Sequence, residues 1–106
     1  RSLSKVFRYL LRNPQTMVPL EAELQLVNEY MQIQVHRFGD RLRYTLDCSL
    51  DPASVEVPVL ILQPLVENAV RYGVEPSEAG GEIVVSAAER ERRIILTVAD
   101  NGVGMS

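Results

Sequence analysis

Residues 65–73 read Leu-Val-Glu-Asn-Ala-Val-Arg-Tyr-Gly. On a helix, Asn68, Arg71 and Tyr72 stand at i, i+3 and i+4, so all three project from one face. That face offers an amide oxygen, a permanent cation and an aromatic ring. These are groups that can ligate Mg²⁺, hold phosphate and pack on a nucleobase. A second group, Asp100-Asn101-Gly102-Val103-Gly104, directly follows a predicted strand. A carboxylate at a strand end can accept a hydrogen bond from an exocyclic amine. Gly102 and Gly104 permit φ > 0 and a close approach to a flat ligand. Each group alone also fits plain structure: an ordinary helix end with a half-buried tyrosine, and an Asn-Gly turn.

The elements that must position these residues follow from periodicity. Leu3, Val6, Phe7, Leu10 and Leu11 recur at three- and four-residue spacing, which predicts a short first helix. Pro14 ends it, because it lacks a backbone donor and disfavours helix at Asn13. A second helix is expected from Pro19, with Leu20, Leu24, Val27, Met31 and Val35 on one stripe and Gly39 as its left-handed cap. The two form a predicted antiparallel helical hairpin, too small to bury its own stripe, so self-association into a four-helix arrangement is expected.

After Gly39-Asp40 the period changes. Residues 43–48 alternate as a half-buried strand does, with Cys48 read as a small inward-facing core residue. Residues 57–72 read as mostly helical, with Pro64 either in the first turn or at a kink. Residues 81–88 and 93–99 are two predicted strands, joined by the charged turn 89–92 into an antiparallel hairpin. The expected fold class is α+β: helices on one face of a mixed sheet, preceded by the helical hairpin.

Composition narrows the function classes. The chain has 106 residues, 46% of them hydrophobic and 24% charged, which is globular rather than disordered composition. The longest apolar stretch, residues 55–66, is broken by Glu56, Pro58, Gln63 and Pro64. It falls short of the roughly 20 residues of a membrane-spanning helix. A net charge of −3 argues against bulk nucleic-acid binding but leaves room for a local phosphate site. One cysteine allows neither an internal disulfide nor a cysteine metal cluster, which suits a reducing compartment. Because the chain opens at Arg1 and closes just past a glycine loop, it is expected to be a piece of a longer protein.

Residues 62–69, Leu-Gln-Pro-Leu-Val-Glu-Asn-Ala, followed by residues 100–105, Asp-Asn-Gly-Val-Gly-Met, resemble the N box and first glycine box of sensor histidine kinases. The chain is most similar to the LytS-like branch of the two-component systems. Residues 19–24, Tyr30, residues 33–34 and residues 37–42 match that branch's dimerisation segment. The resemblance covers nearly the whole chain, and its motifs fall in the family's order and spacing.

The resemblance implies residues 1–39 as part of a dimerisation hairpin. It implies residues 40–106 as the first half of a Bergerat-type (GHKL) ATP-binding sandwich. Asn68 then stands where the family's asparagine ligates the Mg²⁺ of MgATP, and Arg71 takes the phosphate-contacting position. Tyr72 departs from the branch's usual histidine, although other histidine kinases place tyrosine there, against the nucleotide. Asp100 matches the aspartate that reads the adenine amino group, with Gly102 and Gly104 shaping the loop.

Glu67 is typical of the branch but lies about 100° from Asn68 around the helix. Gyrase-type relatives keep a base four residues before the asparagine, where this chain has Pro64, so no general base is assigned. The implied whole is a homodimeric sensor kinase, with this chain in its cytoplasmic part and any membrane segment outside it. Such a kinase passes the ATP γ-phosphoryl group to a histidine and then to a response regulator. The family's phosphoacceptor histidine is expected upstream of residue 1, and the lid and second glycine box beyond residue 106. His36 reads as a surface or interface residue. Two alternatives stay open: a non-catalytic dimerisation module with a truncated or inactive ATP site, and another ATPase of the same fold.

Overall fold

The computed structural model describes Lys5–Tyr9 and residues 16–101. Strand β1 (Lys5–Tyr9) is followed by β2 (Met17–Pro19) and helix α1 (Leu20–Phe38). A 3₁₀ turn (Gly39–Arg41) leads into β3 (Leu42–Cys48), and another (Pro52–Ser54) into β4 (Glu56–Pro58). Helix α2 (Gln63–Ala69) passes into a π turn (Val70–Val74), and β5 (Gly81–Arg90) and β6 (Arg93–Asp100) complete the order. One mixed sheet runs β1-β6-β5-β3, and β2 and β4 form a second, two-stranded sheet. The α+β class and the mixed sheet are as expected. Among the described residues no helix is long and apolar enough to cross a membrane.

Alternation on the central strands decides which face is covered. Ile83, Val85 and Ala87 on β5 are buried, and their cross-strand neighbours on β6 are Asp100, Val98 and Leu96. Period-two geometry therefore sets these six side chains on one face. Leu20, Leu24, Val27 and Met31 of α1 join Val66, Ala69 and Val70 of the α2 segment in the same core.

Within the span of the expected first helix, residues 5–9 are instead a strand paired antiparallel with β6, Lys5 opposite Asp100 and Tyr9 opposite Leu96, while Leu3, Leu10 and Leu11 lie outside the described residues. A short apolar run is ambiguous by periodicity alone. Here the open edge of β6 supplies backbone partners to a segment rich in β-favouring residues. The predicted helical hairpin accordingly loses its first arm. The stripe expected to drive self-association is also accounted for. Leu20, Leu24, Val27 and Met31 are buried inside this chain, and Val35 packs against them half-buried.

Helix α1 otherwise ends as read. Gly39 adopts φ +62° and ψ −134°, a conformation open chiefly to glycine, and its N–H closes on the Val35 carbonyl. Pro19 sits one residue earlier than expected, as the N-cap of α1 and the last residue of β2. The run 57–72 is helical only from Gln63, because 56–58 is spent on β4, whose partner is β2. Pro64 lies in the first turn of α2, where its missing N–H costs nothing. The strands 81–90 and 93–100 close through Glu91 and Arg92, at φ +53° and +66°, the two positive values of a tight hairpin turn. Cys48 is half-buried, and its thiol donates to the Leu50 carbonyl at 3.2 Å.

Candidate nucleotide site

Helix α2 begins without a side-chain cap from its own N-terminus, since Leu62 occupies the cap position. Along it, buried Val66 and Ala69 fix which face meets the core, which leaves Glu67 and Asn68 exposed. From Val70 the helix widens: the Glu75 N–H reaches back to the Val70 carbonyl at 2.8 Å, a five-residue step. Such π turns are uncommon and recur at functional sites. Arg71 and Tyr72 are exposed on it, and the Arg71 guanidinium carbon stands 5.9 Å from the Tyr72 ring centroid. The regular i, i+3, i+4 spacing expected for Asn68, Arg71 and Tyr72 is thus stretched at its second half. All three side chains nonetheless remain open to solvent.

The next residue, Gly73, is buried and lies directly against the end of β6. A Cβ built on it would stand 2.6 Å from Asp100 Oδ1 and 2.7 Å from its Cγ. Asp100 itself has no solvent exposure. The two sequence-predicted clusters, some thirty residues apart in the chain, are therefore brought together by one close approach between the π turn and the strand end. Asn101 finishes the strand by exchanging two bonds with Glu82: the Glu82 N–H donates to Asn101 Oδ1 at 2.8 Å, and the Asn101 N–H to the Glu82 carbonyl at 3.3 Å. Gly102 and Gly104 lie outside the described residues.

Glu67 is turned toward neighbours other than Asn68. It accepts a hydrogen bond from Gln63 Nε2 at 3.1 Å, one turn back. Burial pushes the Tyr30 hydroxyl on α1 above its ordinary range, and the nearby Glu67 carboxylate pushes it further the same way. His36 is exposed near the end of α1. Two residues that the structure singles out, Gly73 and Glu23, are not among the candidates read from the sequence. The available signal for Glu23 is its spacing, three residues after Leu20 and four before Val27, which sets a carboxylate on the apolar stripe.

Among these residues are groups with the chemistry to hold a nucleotide and its metal. The Asp100 carboxylate is an acceptor for a donor group, set against a residue with no side chain. The exposed amide and guanidinium of Asn68 and Arg71 suit hydrated Mg²⁺ and phosphate.

Residues 1–42 match the family model for histidine kinases. The chain is 39% identical over 101 residues to the sensor histidine kinase YesM of Bacillus subtilis, covering 92% of this chain and 18% of that protein. It is 32% identical over 105 residues to the sensor histidine kinase YpdA of Escherichia coli, with 98% and 18% covered. To the sensor protein kinase HptS of Staphylococcus aureus it is 32% identical over 106 residues, with 100% and 20% covered. The chain thus spans about a fifth of the length of these curated relatives and is similar to one stretch of each.

Proposed function

We propose that these residues form the nucleotide-binding part of a two-component sensor histidine kinase, of the GHKL type and the LytS-like branch. The observation that carries the reading is the seating of the buried Asp100 carboxylate beneath Gly73, at the end of the segment that presents Asn68 and Arg71. In this reading Asp100 accepts a hydrogen bond from the adenine amino group, and Tyr72 lies against the nucleotide. Arg71 neutralises phosphate charge and Asn68 ligates the metal, while Gly102 and Gly104 shape the loop beyond the strand. When bound, Mg²⁺ would offset the charge that gathers on the phosphates. The chain's own part is positioning and charge compensation, which is most of what a protein contributes to phosphoryl transfer. The γ-phosphoryl acceptor would be a histidine outside these residues, with a response-regulator aspartate receiving it next. The similarity to proteins named sensor histidine kinases supports this assignment.

The two ends of the nucleotide should respond differently to substitution. Asn68→Ala is expected to weaken ATP about 10-fold with Mg²⁺ present and little without it, since one metal ligand is lost. Asp100→Ala should weaken ATP by up to about 100-fold with or without the metal, the scale of one hydrogen bond to a charged group. It should also relax the preference for adenine over guanine, because a site built to pair a polar group loses selectivity with it. Titration calorimetry with ATP and GTP, with and without Mg²⁺, measures both. Affinities unchanged by either substitution would remove the nucleotide reading.

A second result bears on the acceptor. His36 is exposed near the C-terminal end of α1, and the resemblance places the phosphoacceptor elsewhere. Incubation of this chain with labelled ATP and Mg²⁺ is expected to leave no acid-labile phosphate on His36. Label there would overturn an upstream acceptor.

A further inference from the structure

The segment that carries Asn68 and Arg71 is tied on both sides to α1 and the turn that follows it. Ahead of α2, the N–H groups of Leu60, Ile61 and Leu62 all point at the Glu23 carboxylate. The Leu60 N–H donates to Oε2 at 2.8 Å, and those of Ile61 and Leu62 to Oε1 at 2.9 and 3.4 Å. Glu23 is 2% exposed, and a carboxylate that deep is tolerated when donors surround it. Leu60 holds φ +58°, a value few non-glycine residues adopt, so the turn is bent to deliver these amides. Past the π turn, the Arg41 guanidinium donates to the Ser77 carbonyl, and Arg37 Nη2 lies 3.6 Å from Glu75 Oε2.

We infer that Glu23 is a positioning residue for the metal and phosphate end of the nucleotide site: by anchoring the turn that leads into α2 from another helix, it sets where Asn68 and Arg71 stand. The inference rests on the nucleotide reading above. The adenine end depends on it far less, because Asp100 belongs to β6 and Gly73 is held near it by the anchors at residues 75 and 77. A residue that merely stabilised the fold would weaken both ends alike. A residue that sets α2 weakens one.

The test uses the full natural chain with Glu23→Gln and Glu23→Asp. The first keeps the size and loses the charge; the second keeps the charge and shortens the reach. Val85→Ala, a cavity in the buried face of β5, serves as the control for general destabilisation. Hydrogen exchange without nucleotide is expected to rise about 10-fold or more at residues 60–66 in both Glu23 variants, relative to β5 and β6. MgATP affinity should fall about 10-fold, the lower end for loss of a group that orients a metal ligand. Adenosine affinity should stay within about 2-fold of wild type, since Asp100 is untouched. Unchanged exchange at residues 60–66 would overturn the inference. So would equal losses of MgATP and adenosine matching those of Val85→Ala. A wild-type chain that binds neither ligand would instead overturn the nucleotide reading itself, and the two failures are thereby told apart.

Discussion

Gly73→Ala is expected to weaken nucleotide binding by roughly 10- to 150-fold in a chain that still folds. The added methyl would stand 2.6 Å from Asp100 Oδ1 and 2.7 Å from Cγ, well inside contact distance. Asp100 is fully buried and short, so its carboxylate can yield only by rotating away from the position in which the proposed reading has it meet the base. Losing a hydrogen bond to a charged group costs about 1.5–3 kcal/mol, or roughly 10- to 150-fold in affinity. The methyl also intrudes on the space a purine edge would share. The accompanying overpacking should lower stability by about 1–3 kcal/mol. Calorimetry with ATP and with adenosine measures the first effect, and urea denaturation the second. Adenosine binding at wild-type affinity would show that Asp100 does not meet the base.

The largest loss of stability is expected at Gly80. Its φ is +81°, and a Cβ there would collide with the Arg41 carbonyl oxygen and lie 2.5 Å from the carbonyl carbon. Both obstacles are backbone, so nothing can swing aside. The next residue, Gly81, begins the parallel pairing of β5 with β3, opposite Leu42. Gly80→Ala must therefore part the start of that pair and move Arg41 away from Ser77. Gly39→Ala is the informative comparison, because φ there is +62° but nothing lies within 4 Å of the added carbon. The backbone penalty alone at such a position is about 1–3 kcal/mol. Gly80→Ala should exceed it by a further 1–3 kcal/mol or more from the clash. Equal denaturation midpoints for the two variants would refute the close approach.

What the sequence made legible was local. Asn68, Arg71 and Tyr72 share a helix, and Asp100 closes a strand, so neighbour spacing sufficed to single them out. That the two segments meet was not readable from either motif, because the meeting point is Gly73, whose only relevant property is lack of a side chain. The strand at 5–9 was misread for a related reason. Its apolar spacing suits a helix, and the unfilled edge of β6, some ninety residues away, decides otherwise. Met17–Pro19 and Glu56–Pro58 are three-residue strands, too short to show any period. Spacing sets Glu23 on the apolar stripe but does not name its partners. Its amide partners lie 37–39 residues further on, and only the fold introduces them.

The parallel pairing of β3 with β5 also sets the order in which the chain can assemble. The β5–β6 hairpin joins strands across two turn residues, and such hairpins close within about 1–10 μs. β3 can add to it only after the whole of α2 and its flanking turns have been looped out, since Leu42 must find Gly81. Closing so long a loop is entropically slower, as it is for non-local pairings generally. Until it happens, Arg41 has no Ser77 carbonyl to grip and the helix bearing Asn68 has no fixed height above the hairpin. A nascent or refolding chain would hold its strand-end aspartate early and gain the rest of the site late. In stopped-flow refolding, competence to bind adenosine should follow the slow docking of β3, not the rapid appearance of hairpin structure.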